Sequence, residues 1–406
     1  MVDVRLIAFG LAWLCLAAGS ALAAPPTTYD QVLAAALTKH PAVLGKRSLQ
    51  ASAQADKEGA EWARYPTPSV EATRRGGTDG AGLLRIDQPL WTGGRITSGI
   101  DVAERRLNAA DAAVEEARLD LSLRVITAYL EALRQKGRES HARAGVREHE
   151  KLLDMINRRA KQEVSSQTDQ RLAESRLYQA SNELSQISQA LRSALTQLSQ
   201  LSGERVDDVA WSGLGDRDAP PSFEAALHAA LQASPTMQRL KHEEEAAASD
   251  IELKRAAYMP QLALRLEREA GGGTIADSRA MIVLLAQPGA GLSAVSGVDA
   301  AVARREAARQ ALEGADRDVR QRIALDWDEM LAARSRTEAA MRSSEMSSEV
   351  FDSYTRQYVI GRKSWLDVLN SVREAVQAKY TLEDARTQTV AAAMRLRAQM
   401  QLSRTE

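Results

Sequence analysis

The sequence predicts a mainly α-helical protein with a small β part, laid out as two tandem structural repeats. Three observations carry this reading. Between Pro89 and Pro220 the chain has no proline, and after Pro288 it has none to its end. Proline costs about 3 kcal/mol inside a helix, so such runs permit very long uninterrupted helices. Aromatics make up 4% of the 406 residues, while Ala, Leu, Gln, Glu and Arg dominate, the composition of long helices and coiled coils. Finally, Tyr29 and Phe223, Pro41 and Pro235, and Pro66 and Pro260 share an offset of 194, whereas Tyr129 and Trp327, and Asp169 and Asp367, are 198 apart. One internal duplication with a small loop insertion in its second copy gives this pattern.

In chain order, residues 1–23 read as an export signal. Arg5 supplies a thin positive region, Leu6–Ala18 an apolar core of 13 residues, and Ala21-Leu22-Ala23 a small-residue cleavage site. That core is shorter than the roughly 20 apolar residues of a membrane-spanning helix. The single cysteine, Cys15, lies inside it, so the mature chain is expected to carry neither disulfide nor lipid anchor.

The first repeat then covers 24–203, a Pro- and Gly-bearing linker 204–221, and the second repeat 222–406. Each is expected to hold a helix, a β-hairpin and a long helical hairpin. The first helix, about 29–64, bends or restarts near Pro41. Strand candidates are Thr67–Arg75 and Gly82–Leu90, then Gln261–Glu269 and Arg279–Gln287, with poor alternation of polar and apolar residues. Each has about 9 residues, close to the length that crosses a bilayer at a tilt. Trp62, Tyr65, Trp91 and Tyr258 bracket the strands, where interfacial aromatics would sit. Strand turns to helix at corners marked by Pro89, Gly93 and Gly94 and, more weakly, by Pro288.

Beyond the signal no apolar run reaches transmembrane length, so any membrane passage must be as a β-barrel. Known barrels need about eight strands or more. Four strands per chain would therefore have to be shared between copies. Leu107, Ala110, Val114, Ala117, Leu121, Val125, Ala128 and Ala132 recur at spacings of 3 and 4, as do Leu177, Ala180, Leu184, Ile187, Leu191, Ala194 and Leu198. Such seams belong to coiled-coil packing. A helix of about 70 residues after Gly94 would reach roughly 105 Å, a length suited to a tube or rod.

The tandem duplication, the Gln88-Pro-Leu-Trp-Thr-Gly-Gly-Arg95 corner and the stretch Tyr358-Val-Ile-Gly-Arg-Lys-Ser-Trp-Leu-Asp-Val-Leu369 together resemble the TolC family of outer-membrane channel proteins, over essentially the whole mature chain. The resemblance implies a homotrimer in which three chains share a twelve-stranded transmembrane β-barrel in outer-membrane lipid and extend a long α-helical barrel into the periplasm. It implies a passive export duct, serving a periplasmic adaptor (membrane fusion protein) and an inner-membrane transporter. Short loops between strands and the lack of a lipid-anchor cysteine lean towards an ABC-type transporter and type I secretion of adhesin-like protein. An RND-type pump for drugs or metals is the alternative.

The resemblance also places a periplasmic gate at Asp169, Tyr358, Arg362, Lys363, Asp367 and Asn370. A ring of aspartates in a narrowing tube favours cations, and Lys363 or Arg362 would pair with such a carboxylate between helices. Asn370 stands where the best-known members have a second aspartate. Glu163 stands where a glycine is expected, so the first turn is expected to differ. The plainer role for Asp367 is to cap or solvate a helix start.

A net charge of −1 gives no reason to expect nucleic acid. No catalytic, cofactor or metal site is expected. His141 and His149 share a helix face without a third ligand, Glu243-Glu-Glu245 reads as a charged helix surface, and Gly271-Gly-Gly273 lacks the lysine and helix of a phosphate loop. The rival reading of another class is an exported coiled-coil scaffold without a pore.

Overall fold

The computed structural model describes residues 26–74, 80–211, 220–271, 278–286 and 293–400. The signal with Cys15, the Pro288 corner and part of the linker lie outside the described residues. The helix expected over 29–64 restarts at Pro41. Helix α1 (Tyr29–Lys39) opens on Thr28, whose side chain and that of Gln31 cap each other's backbone N–H, and α2 (Pro41–Trp62) follows with Pro41 in its first turn. Proline suits that place because its missing N–H would have no partner there anyway. His40 between them accepts from Ala42 N at 3.2 Å.

Two strands follow, β1 (Thr67–Arg74) and β2 (Gly80–Trp91), then α3 (Arg95–Lys161) and α4 (Gln167–Ser202). The second half has the same order: α5 (Phe223–Ala233), α6 (Pro235–Arg255), β3 (Gln261–Gly271), β4 (Ser278–Leu285), α7 (Ser293–Val359) and α8 (Trp365–Gln399). Pro235 again starts a helix, behind the capping residue Ser234. Helices α3 and α7 each have 67 residues, about 100 Å at ~1.5 Å per residue. Among the described residues no helix is long and apolar enough to cross a membrane.

The strands form one antiparallel sheet in the order β1-β2-β3-β4, so the β2–β3 pair joins the two halves. Its register sorts the side chains that looked poorly alternating along the sequence. Leu84↔Arg268, Ile86↔Leu266, Leu264↔Ile282 and Leu262↔Leu284 place Val70, Leu84, Ile86, Leu264, Leu266, Ile282 and Leu284 on one face, with Gln88 and Arg268 among them. That face is uncovered: Val70 is 78% exposed, Ile282 68% and Leu284 67%. The other face carries Arg85 on Glu267 at 2.9 Å and Arg265 on Asp87 at 2.7 Å. An apolar face without protein cover, opposite a charged one, is the pattern of a barrel wall between lipid and an aqueous lumen. Within the described chain the outer edges of β1 and β4 have no partner strand.

The corner from β2 to α3 needs its glycines. Gly93 (φ +60°) and Gly94 (φ +90°) lie in left-handed backbone, and a Cβ on Gly93 would come within 2.2 Å of Met259 Cβ. Pro89 pairs with Ala263 just before a register shift that ends at Trp91, a place where a missing N–H is tolerated. The rings of Trp62 and Tyr65 lie 5.1 Å apart at a tilt of 48°; both are exposed, as is Trp91. Tyr258 is half-buried and donates to Ala294 O at 3.0 Å. All four sit where helices meet sheet.

Below the sheet α3 runs against α2 and α6, and towards its far end against α4 and α8. Links such as Gln50–Asp111, Arg105–Glu245 and Glu116–Arg239 mark the upper half, and Arg134–Asp384 and Ser188–Glu139 the lower. The short helices α1 and α5 meet the ends of α4 and α8. Each half therefore contributes two helical columns, four per chain. The main core lies midway, where Val125, Ile126, Tyr129, Leu130 and Leu133 of α3 pack on Val32, Ala36, Ala194 and Leu198. Of the seam read from sequence, Val114, Leu121, Val125, Ala128 and Ala132 are buried while Leu107, Ala110 and Ala117 are half-buried. The repeated aromatics make the same contact in each half: Tyr29 packs edge-on to Tyr129 at 5.8 Å, and Phe223 to Trp327 at 6.3 Å.

Candidate functional site at the helical tips

The hairpins α3–α4 and α7–α8 end side by side, away from the sheet. Each turn closes in the same way. In the first, Val164 N donates to Arg159 O at 2.9 Å and Glu163 N to Ala160 O at 3.0 Å; in the second, Arg362 N donates to Gln357 O at 2.9 Å and Gly361 N to Tyr358 O at 3.0 Å. This pair of bonds satisfies the last carbonyls of a helix and needs a left-handed residue at its centre. Gly361 supplies it at φ +77° and Glu163 at φ +59°. The expectation that Glu163 gives a different turn is thus corrected. The hydrogen-bond pattern dictates the conformation, and a non-glycine residue adopts it at a cost of roughly 1–2 kcal/mol.

Both returning helices begin with a reciprocal cap. Asp169 Oδ2 accepts from Ser166 N at 3.2 Å and Ser166 Oγ at 2.9 Å, while Asp169 N donates back to Ser166 Oγ at 3.1 Å. Asp367 Oδ2 accepts from Ser364 N at 3.2 Å and Ser364 Oγ at 2.8 Å, with Asp367 N donating to Ser364 Oγ at 3.2 Å. The structure therefore gives both aspartates the capping role. Hydrogen bonds from the Ser364 hydroxyl and N–H, and then the charge of Lys363, hold the Asp367 carboxyl below the ordinary aspartate range. Capping occupies one oxygen of each carboxylate, and the lowered Asp367 carboxyl keeps a negative charge at the second tip.

The remaining candidates lie elsewhere than in a carboxylate lock. Tyr358 is buried in a tip core with Leu152, Ile156, Trp365, Val368 and Leu369, its ring 5.5 Å from that of Trp365. Lys363 lies over the Tyr354 ring at 4.2 Å, and Arg362 is exposed. Among the described residues neither Lys363 nor Arg362 forms an ion pair. Asn370 is half-buried, one turn past Asp367, and its side chain has no hydrogen bond among the described residues.

Sequence reasoning missed Arg159. From α3 it lies 4.5 Å over the Tyr358 ring and donates to Val359 O at 3.2 Å, clipping the first hairpin to the second. Nothing in the sequence signals this, since the partners are 200 residues apart. A second clip sits higher up. Arg134 reaches Asp384 at 3.4 Å, Arg138 reaches Asp384 at 3.7 Å, and His141 Nε2 lies 3.4 Å from Glu383 Oε1. The His141 contact, ahead of the opposing effect of burial, holds the Glu383 carboxyl below its usual range. His141 is thus engaged by a carboxylate, and no cluster of metal-ligating side chains occurs among the described residues.

These tips can do one thing chemically: hold two pairs of helices together through contacts that break when the pairs separate. The family model described as outer membrane efflux protein matches residues 32–204 and 226–400. No curated protein matches significantly. Among solved structures, a membrane protein from Pseudomonas aeruginosa has a TM-score of 0.81 at 19% identity, over 92% of this chain and 93% of that one. The outer membrane protein VceC of Vibrio cholerae gives 0.81 at 16%, over 92% and 95%. The open-state MtrE outer membrane channel of Neisseria gonorrhoeae gives 0.77 at 16%, over 92% and 88%. At these identities the structures speak for the fold.

Proposed function

This chain belongs to the outer membrane efflux protein family, and we propose that three copies form one passive duct through the outer membrane, with the helical part in the periplasm. The sheet carries this reading. It has one bare apolar face, one charged face and two open edges. Because β1 and β4 run in opposite directions, β4 of one copy can continue antiparallel onto β1 of the next. Three copies would close a barrel of about twelve strands, within the known range. The helical columns below would then line the same axis.

Such a duct has no energy source of its own, so it works with an inner-membrane transporter through a periplasmic adaptor. For cargo we favour type I export of a protein by an ABC-type transporter, on the close spacing of the strands. β1 ends at Arg74 and β2 resumes at Gly80, and β3 ends at Gly271 with β4 resuming at Ser278. The second reading is efflux of drugs or metals with an RND-type pump; the family is described as outer membrane efflux proteins. We place the gate at the tips, which carry Arg159, Tyr358 and the capping aspartates.

Light scattering of the protein in detergent, followed by planar-bilayer recording, tests this. A trimer with stable unitary conductance is expected; a monomer that needs no detergent would replace the duct by a scaffold. Asp367→Ala should lower cation over anion permeability, read as a shift in reversal potential across a salt gradient. Unchanged potentials would remove Asp367 from the constriction. A deletion strain that keeps exporting its large secreted proteins but becomes drug- or metal-sensitive would decide for the second cargo.

A further inference from the structure

A cavity of about 130 Å³ lies between α3, α4 and α8, across the seam between the two hairpins. It is well above the ~15 Å³ that one water requires. Its tipward end is lined by one basic side chain from each helix: His149 of α3, Arg176 of α4 and Arg373 of α8. Glu183 also lines it, at the far end with Tyr380. Glu183 stands two turns beyond Arg176 on α4, roughly 10 Å along the axis.

The basic end is short of acceptors. His149 is 8% exposed and its Nδ1 has no hydrogen-bond partner among the described residues. Arg176 donates to Gln179 Oε1 at 2.8 Å, and among the described residues no carboxylate pairs with either Arg176 or Arg373. Burial, and then the Arg176 charge against the opposing charge of Glu148, hold the His149 imidazole below its ordinary pKa. A buried nitrogen such as His149 Nδ1 is normally satisfied; Arg176 is half-buried and Arg373 exposed. Guanidinium groups present planar pairs of donors that match a tetrahedral oxyanion.

We propose that the basic end of this cavity binds a small oxyanion, inorganic phosphate being the probe of choice, and so bridges α3 and α4 of the first hairpin to α8 of the second. A bound ion would tie together the two hairpins that must part if the tips open. That consequence rests on the duct reading; the binding does not.

The test is calorimetric melting of the intact protein in detergent, with phosphate replacing chloride at constant ionic strength and pH. Phosphate should raise Tm saturably. Arg176→Gln and Arg373→Gln should each weaken the apparent affinity about ten-fold or more, and Glu183→Gln should not weaken it. Melting in chloride alone verifies that each variant is folded, and His149→Gln serves if an arginine variant is not. A flat wild-type response, or one undiminished in the arginine variants, overturns the site. A phosphate response in a protein that forms no conducting pore would uphold the site while removing the duct.

Discussion

The two helical tips share a backbone and differ in what fills it. Both turns close with the same pair of hydrogen bonds and both return helices start on a Ser-x-x-Asp cap. The second tip places Gly361 at its left-handed position and buries Tyr358 and Trp365; the first has Glu163 at the matching position and Ala160 in place of the tyrosine. The second tip therefore supplies the aromatic anchor and the first supplies Arg159, which lies on it. Duplication preserved the turn, and the divergence made one tip the socket and the other the plug.

Removing the socket should have the largest effect. Tyr358→Ala deletes a buried aromatic and should destabilise the tip by about 3 kcal/mol, visible as faster amide hydrogen exchange at the start of α8 and the end of α3; exchange confined to α8 would show that the tips are independent. Swapping the turn residues comes next. Gly361→Ala should cost about 1 kcal/mol and Glu163→Gly should gain about as much, measured by local exchange in each turn. Equal responses of opposite sign would mean that backbone conformation alone separates the turns.

The caps follow. Ser166→Ala and Ser364→Ala should each cost about 1 kcal/mol. Because the Asp367 carboxyl is held below the ordinary range, its stabilising contribution is complete above the unfolded pKa and is lost as pH falls through the lowered folded value. The carboxyl ¹³C resonance of Asp367 should titrate below the ordinary range in the wild type and move upward in Ser364→Ala. The smallest effect is expected from Arg159→Met, which keeps length and removes charge, at about 0.5–1 kcal/mol. It should raise the open fraction of reconstituted channels without changing unitary conductance.

Much of the fold was legible because proline and offset are local, countable signals. The empty stretches after Pro89 and Pro288 mark α3, α4, α7 and α8, and Pro41 and Pro235 mark helix restarts. The two faces of the sheet were not legible. Leu83 falls on the charged face and Gln88 on the apolar one, so alternation emerges only when four strands are set in register. Capping was legible for Asp367, and the same Ser-x-x-Asp spacing, written within four residues, marks Asp169 as well. Arg159 could not, because its contacts join segments from opposite halves of the chain.

The unpaired edges of β1 and β4 have a consequence for biogenesis. A strand edge is a template for any other strand, and natural proteins cover or charge it. Here the flank beside it is apolar on one face, so a lone chain in an aqueous compartment has two sticky margins and a greasy side. Its folded life would be short until copies meet, and yield would depend on concentration, as for any protein whose stability is inseparable from assembly. Supply would therefore have to be matched to insertion, with surplus chains either escorted or degraded.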